Sequence, residues 1–574
     1  MIKKIFPYVK KYRVYALLSP AMMISEAYIN IVIPLIMGKI VNEGIMEKNS
    51  PLILRLGLIM IGLALLAAAV GGVTTWLSAT AGYGTATELR NQAYQCIQTY
   101  SFNDLDRMKI PSLITRLTTD TDTFAQILIM TLRIAVRGPF VLIFALVFAM
   151  KKDLLMALIF FVVIPAMAIG MVIIFKSAYP FFEELRKRTD GVNSVVQEEL
   201  TGIRVIKAFN RQTFAEERFG KVNQAYLKTS LEAIRRILRM DPLMKGMICL
   251  CMILVLFFGG RGIDQGKMDP GTLIIFISYT GQILMAVMMI SMYVINAIYA
   301  VASIHRIFEV IDLVPDQKVP LEAVKEVKDG SVVFDHVVFR YPGFKEPVLN
   351  DISLQIPAGA RIGIIGSTGS SKSTLIQMIP RLYDVEKGQV LVGGVDVKDY
   401  DPKTLRDAIS YVFQENILVS GTIRSNLYWG NPKATEGEMI LALKAAQAWE
   451  FVKEYPELLD APVAQAGANF SGGQKQRLTI ARALLKKPKI LIFDDAASAL
   501  DMETDERLRQ SIQESFSGIT VFMVSQRIAS IKDFDQIIVM EEGRVESFGP
   551  HQELMEKSPI YREIAQCQKG GLSQ

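Results

Sequence analysis

A helical membrane domain followed by an α/β domain built around a phosphate-binding loop is the fold class this sequence predicts. Three observations predict it. Long uncharged apolar stretches crowd the first three hundred residues and then stop. Past Val310, strand-like runs alternate with helical segments. One of those runs leads into a glycine- and serine-rich loop that closes on Lys372-Ser373-Thr374. At 574 residues the chain exceeds one domain, and its 51% hydrophobic content and mean hydropathy of +0.29 are high for a wholly soluble protein.

The N-terminus is basic (Lys3, Lys4, Lys10, Lys11, Arg13), but no small-residue cleavage site follows it, so it reads as a retained cytoplasmic segment. Segments long enough to cross the hydrocarbon fall near 14–41, 56–82, 124–150, 154–177, 242–262 and 271–300. The connection after the second span carries Arg90, Arg107, Lys109 and Arg116. The one after the fourth carries Arg186, Lys187, Arg188, Arg204, Arg211, Arg235 and Arg236. The positive-inside rule makes both cytoplasmic, together with both termini, and places the protein in the cell membrane. Loops 42–51, 151–153 and 263–270 then lie outside, with Lys151 and Lys152 against the trend. The net charge of +6 follows from this topology and calls for no nucleic acid. Cys96, Cys249, Cys251 and Cys567 show no metal-ligand pairing and read as packing residues without a disulfide framework.

Charges away from the ends of the spans are few: Glu26, Arg133 and Arg137. They form structural ion pairs or snorkelling ends on one reading, and line a polar cavity on the other. Met285, Met288, Met289 and Met292 recur at helical spacing near Gln282, Tyr293, Asn296 and Tyr299. Soft thioethers suit a cavity for varied apolar ligands, and they equally suit ordinary helix packing. The two cytoplasmic connections, about forty to sixty residues each, are too long for turns and read as helices that leave the bilayer. The boundaries that result are a membrane domain 1–310, a linker 311–329 containing Pro315 and Pro320, and an α/β domain 330–574.

In the α/β domain, Gly366-Ser367-Thr368-Gly369-Ser370-Ser371-Lys372-Ser373-Thr374 follows a strand and opens a helix. That context suits a loop whose N–H groups cradle phosphates, with Lys372 on the terminal phosphates of ATP and Ser373 on Mg²⁺. Ser371 stands where such loops have glycine, and its side chain adds bulk where backbone approaches phosphate. The apolar strand Ile490–Phe493 ends in Asp494, placed to support the metal. Between the two, Phe470-Ser471-Gly472-Gly473-Gln474 begins a helix whose N–H groups and dipole can meet a phosphate.

With these motifs the whole chain resembles half-transporters of the ABC exporter family, closest to the degenerate-site subunit of bacterial heterodimeric multidrug exporters. Gly202–Asn210 and Leu113–Asp120 are similar to that family's intracellular loops, which contain short coupling helices. The resemblance implies that Tyr341 stacks on adenine and that Gln414 links metal and water to the membrane domain. It implies that Ser471, Gly472, Gly473 and Gln474 close on the ATP of a second subunit, with Ser498–Asp501 at the dimer interface. Two positions depart from the family pattern. Asp495 stands where the catalytic glutamate is expected, one methylene short of the attacking water, and Gln526 replaces the switch histidine. Gln465–Asn469 also lacks the charged residues common before that segment in exporters. The expected partner is therefore a second half-transporter with an intact glutamate and histidine, and the expected cargo a hydrophobic or amphipathic small molecule. Lipid or peptide export and an ATP-gated channel remain as alternatives.

Overall fold

The computed structural model describes residues 2–495, 501–516 and 518–570. The chain divides into two compact units, residues 1–97 with 111–313, and residues 98–110 with 314–574. The first is helical. It contains α1 (Arg13–Lys39), α2 (Ser50–Gln98), α4 (Thr121–Lys152), α5 (Leu154–Thr201), α6 (Ile203–Ala208), α7 (Gln212–Ile237), α8 (Met240–Asp264) and α9 (Pro270–Ile311), while α3 (Phe102–Met108) belongs to the second unit. Among its described residues, six helical stretches are long and apolar enough to cross a membrane. Several run far past the hydrocarbon thickness, as the charged connections predict.

The core of the helical unit gathers Phe160 and Met167 of α5, Cys251 and Val255 of α8, and Phe276 and Tyr279 of α9 around Ile31 of α1. Tyr279 donates its buried hydroxyl to the Ile31 carbonyl at 3.1 Å, which removes the cost of a bare polar group in an apolar core. The most apolar window of α2, in contrast, buries none of its residues within the chain. Cys251 is packed as expected, but Cys249 and Cys567 are exposed and so do not serve as packing residues within this chain. For Cys249 the reason is helical geometry: two residues on from it, Cys251 faces the opposite side of α8.

The second unit carries two main sheets. A four-stranded sheet joins β1 (Val332–Phe339), β2 (Leu349–Ile356), β4 (Lys387–Val392) and β5 (Val395–Asp396) in the order β2-β1-β4-β5. A six-stranded sheet joins β3 (Arg361–Gly366), β6 (Ile409–Val412), β7 (Ile490–Asp494), β8 (Thr520–Val524), β9 (Gln536–Glu541) and β10 (Arg544–Gly549) in the order β10-β9-β3-β8-β7-β6. All its pairings are parallel except β9 with β10. Strands β7 and β8 are buried at every position, the pattern of a parallel sheet covered on both faces. Parallel register brings the carboxyl ends of β3, β7 and β8 to one edge, where ligands of such sheets bind.

The short helix α3 refines the expectation about the first cytoplasmic connection. Ser101 and Asp104 close a capping box on it, Phe102 packs edge-on against Tyr383, and the Tyr383 hydroxyl donates to Asp106 at 2.7 Å. Residues 113–120, where the resemblance was read, instead continue helically into α4. The second connection does contain a short helix, α6, within the residues expected.

Candidate functional site

Strand β3 delivers the phosphate-binding loop. At Gly366 a Cβ would stand 2.1 Å from the Met540 carbonyl oxygen of β9, so only glycine lets the chain leave the sheet here. Gly369 takes φ +88, and helix α10 (Lys372–Gln377) starts after Ser371. Ser371 itself sits at φ 72 and ψ 24, in the left-handed region. This adds a backbone cost to the expected crowding by the side chain: about 1–2 kcal/mol for a residue with a Cβ in this region.

Lys372 Nζ donates to the Gly366 and Ser367 carbonyls at 3.0 and 2.7 Å and to Ser370 Oγ at 3.3 Å. Burial holds the ammonium below the usual lysine range, against the opposing pull of Asp495 and Asp494. Ser373 Oγ donates to Asp494 Oδ1 at 2.6 Å, and the Tyr411 hydroxyl donates to Asp494 Oδ2 at 2.8 Å. Burial first, and then the Asp494 carboxylate, push the Tyr411 phenol far above its usual value, so it remains a donor at any physiological pH. Tyr341 sits edge-on to Phe339 and Tyr383, its hydroxyl 3.1 Å from Thr374 Oγ1.

A cleft of about 340 Å³ brings several of these parts together. Thr368, Gly369, Ser371, Lys372, Ser373, Thr374, Gln414, Asp495 and Gln526 line it, whereas Tyr341, Tyr411 and Asp494 do not. Within it Gln526 Nε2 donates to Asp495 Oδ2 at 3.1 Å. Burial, reinforced by the Asp494 charge, raises the Asp495 carboxyl above the ordinary range, with Gln526 opposing. The donor set fits Mg²⁺, a hard cation that takes a hydroxyl and a carboxylate oxygen such as the adjoining Ser373 and Asp494. A lysine on a glycine-opened loop fits the phosphates of ATP.

Ser471–Gln474 do not line this cleft. Ser471 caps helix α11 (Gly472–Leu485) in a reciprocal box, its N–H donating to Gln474 Oε1 at 2.9 Å and its Oγ accepting from Gln474 N at 3.3 Å. Space is open beside Gly472, so that helix start can be approached closely. Asp501 caps the helix Met502–Ser515 through Thr504 N at 2.8 Å, while Ser498, Ala499 and Leu500 lie outside the described residues.

Two partners of the site escaped the sequence. Tyr411 occupies the second oxygen of Asp494; its place at the end of an apolar strand one position before Val412 was the available signal. Gln568, in the C-terminal helix α12 (Pro559–Gly570), donates Nε2 to the Gln526 carbonyl at 2.7 Å and accepts at Oε1 from Ile528 N at 2.9 Å. A contact across forty-two residues leaves no local pattern.

In the helical unit, Arg137 Nη1 lies 3.3 Å from Glu26 Oε1, so this pair satisfies the ion-pair reading. Arg137 also lines a cavity of about 520 Å³ with Asn30, Ser278, Gln282, Met285 and Met289, so both readings hold for it.

Residues 17–287 match the ABC transporter transmembrane region and residues 349–498 match the ABC transporter family. An uncharacterized ABC transporter ATP-binding protein of Mycobacterium tuberculosis is 36% identical over 98% of this chain and 97% of its own length. The uncharacterized ABC transporter ATP-binding protein YfiB of Bacillus subtilis is 32% identical over 99% of both. The ATP-dependent lipid A-core flippase of Haemophilus influenzae is 26% identical over 99% of this chain and 97% of its own. A bacterial Atm1-family ABC exporter with ATP bound superimposes with a TM-score of 0.82 over 98% of both chains at 23% identity, which gives the fold. The class is a membrane transporter driven by an ATP-binding domain on the same chain. The chain belongs to the ABC transporter family, whose exporters work as dimers within the lipid bilayer.

Proposed function

We propose that this chain is one half of a heterodimeric ABC exporter that moves hydrophobic or amphipathic compounds out of the cytoplasm or inner leaflet, and that its own ATP site is impaired in hydrolysis. The observation that carries the reading is the pair Asp495–Gln526 in one cleft with Lys372 and Ser373. Lys372 would hold the β- and γ-phosphates, Ser373 and Asp494 the Mg²⁺ ion, Gln414 the metal and water, and Tyr341 the adenine. When bound, Mg²⁺-ATP supplies a phosphoryl group for transfer to water. Asp495 would take the proton from that water at a carboxylate one methylene too short, and a misplacement of about 1 Å costs on the order of a hundredfold. Gln526 can donate to a phosphate, but its amide brings no positive charge. Ser471–Gln474 keep a well-formed helix start, which the chain would lend to the partner's competent site. Domain limits of 1–310 and 330–574 and cytoplasmic termini complete the proposal.

The test is ATP hydrolysis by the purified chain alone and by the complex that co-purifies with it. Near-inactivity alone with turnover in the complex supports the heterodimer, and brisk hydrolysis by the lone chain removes the need for a partner. A second reading, lipid export, is favoured by the full-length similarity to a lipid A-core flippase. Single-channel conductance by the complex, in place of ATP-dependent uptake into inside-out vesicles, would favour a gated channel instead.

A further inference from the structure

The interior of the helical unit is electrostatically unbalanced. Spans 14–41, 56–82, 124–150 and 271–300 hold three cations, Arg133, Arg137 and, two residues from the end of its span, Lys39, against one acid, Glu26. Arg133 lies one turn before Arg137 on α4, has a buried Nε without a partner, and makes no ion pair among the described residues. Charges at this depth are expensive and mark ligand pathways when they face a cavity.

Which member of the Glu26–Arg137 pair faces the cavity decides the sign of the ligand. Arg137 lines it with a side chain 35% exposed, whereas Glu26 is 10% exposed and does not line it. Glu26 sits behind, toward α2, where its Oε2 lies 3.2 Å from the position a Cβ on Gly71 would take. A lipophilic cation entering here meets a guanidinium, and an anion meets an attractive partner held by a single contact. Opposite, Gln282 uses Nε2 on the Asn30 carbonyl at 3.1 Å, which leaves its buried Oε1 without a donor. Met285 and Met289 supply a deformable apolar wall beside these groups.

We infer that this cavity selects amphiphiles with an anionic headgroup. The anion replaces Glu26 on Arg137, a headgroup hydroxyl or amide donates to Gln282 Oε1, and the chain lies along Met285 and Met289. The inference rests on the exporter reading and narrows its cargo.

The test uses the full chain in phosphatidylcholine nanodiscs, titrated with lysophosphatidic acid and lysophosphatidylcholine carrying the same fluorescent acyl chain. The anionic probe binds about tenfold tighter or more, since a charge-assisted guanidinium contact is among the stronger polar interactions. Arg137→Gln brings the two affinities together, Arg137→Lys preserves the ranking, and Glu26→Gln tightens only the anionic probe. Met285→Trp, which fills the cavity and leaves its charge alone, weakens both. Equal binding of the two probes by the unmodified chain overturns the inference, as does a preference unchanged in Arg137→Gln or binding untouched by Met285→Trp. Selective binding without ATP-dependent uptake of the probe by the partnered complex leaves the inference standing and defeats the exporter reading.

Discussion

Gln526 donates its side-chain amide to Asp495 Oδ2 across 3.1 Å, so the two positions that depart from the exporter pattern hold each other. Asp495 does this from a left-handed backbone, φ 50, and in the function proposed above its carboxylate is one methylene shorter than the glutamate it replaces. Restoring both side chains, Asp495→Glu with Gln526→His, is expected to raise phosphate release by the purified chain about a hundredfold, the scale set by an ångström of misplacement. A double variant as slow as the parent places the impairment elsewhere.

Ser371 gives a prediction about the loop independent of hydrolysis. Its left-handed conformation costs about 1–2 kcal/mol, and glycine there removes that strain while adding freedom to the unfolded chain. Ser371→Gly should therefore stabilise the nucleotide-free protein by about 0.5–1 kcal/mol, and leave ATP affinity unchanged where the bound loop keeps the same conformation. Thermal denaturation with and without ATP measures both terms. An unchanged melting temperature would mean that the neighbouring hydrogen bonds of Lys372 already absorb the strain.

The features that the sequence makes legible are those written in local pattern. Spans follow from apolar length, Lys372 and Ser373 from the strand-loop-helix context, and Asp494 from its apolar strand. The structure then shows what only the folded chain contains. Ser371 betrays a missing glycine in sequence, but only its φ reveals the backbone cost. Tyr411 reaches Asp494 because β6 and β7 are parallel neighbours, and Phe102 reaches Tyr383 across almost three hundred residues. Glu26 and Arg137 were readable as rare intramembrane charges, yet which of them faces the cavity depends on the rotation of α1 and α4.

The raised Asp495 carboxyl predicts a stability trend with pH. A folded value above the unfolded one means that the native protein holds its proton longer, so stability falls as pH rises through the folded value and stays reduced above it. Asp495→Asn removes this cost. The nucleotide-free variant should melt above the parent at pH 8, and the gap should close as pH falls toward the ordinary carboxylate range near about 4. A gap constant across that range, or reversed in sign, would show that burial and the Asp494 charge do not weigh on Asp495.

Gln568 offers the sharpest test of how the Gln526 loop is held. Its amide bridges the Gln526 carbonyl and the Ile528 N–H, so one side chain of α12 pins both flanks of Arg527. Each bond is worth about 0.5–1.5 kcal/mol net, and removing both with Gln568→Ala lowers the local opening cost by about 1–3 kcal/mol. Amide exchange at Ile528 should then speed up by about one to two orders of magnitude, while core strands β7 and β8 keep their protection. Gln568→Glu retains the acceptor for Ile528 and loses the donor to Gln526, so it should free the carbonyl side alone. Because Gln526 is the residue that restrains Asp495, the loosened loop should also release ATP faster from the chain's own site. Unchanged exchange at Ile528 in Gln568→Ala would show that the loop is held by its remaining contacts, and that the C-terminal helix has no hold on Gln526.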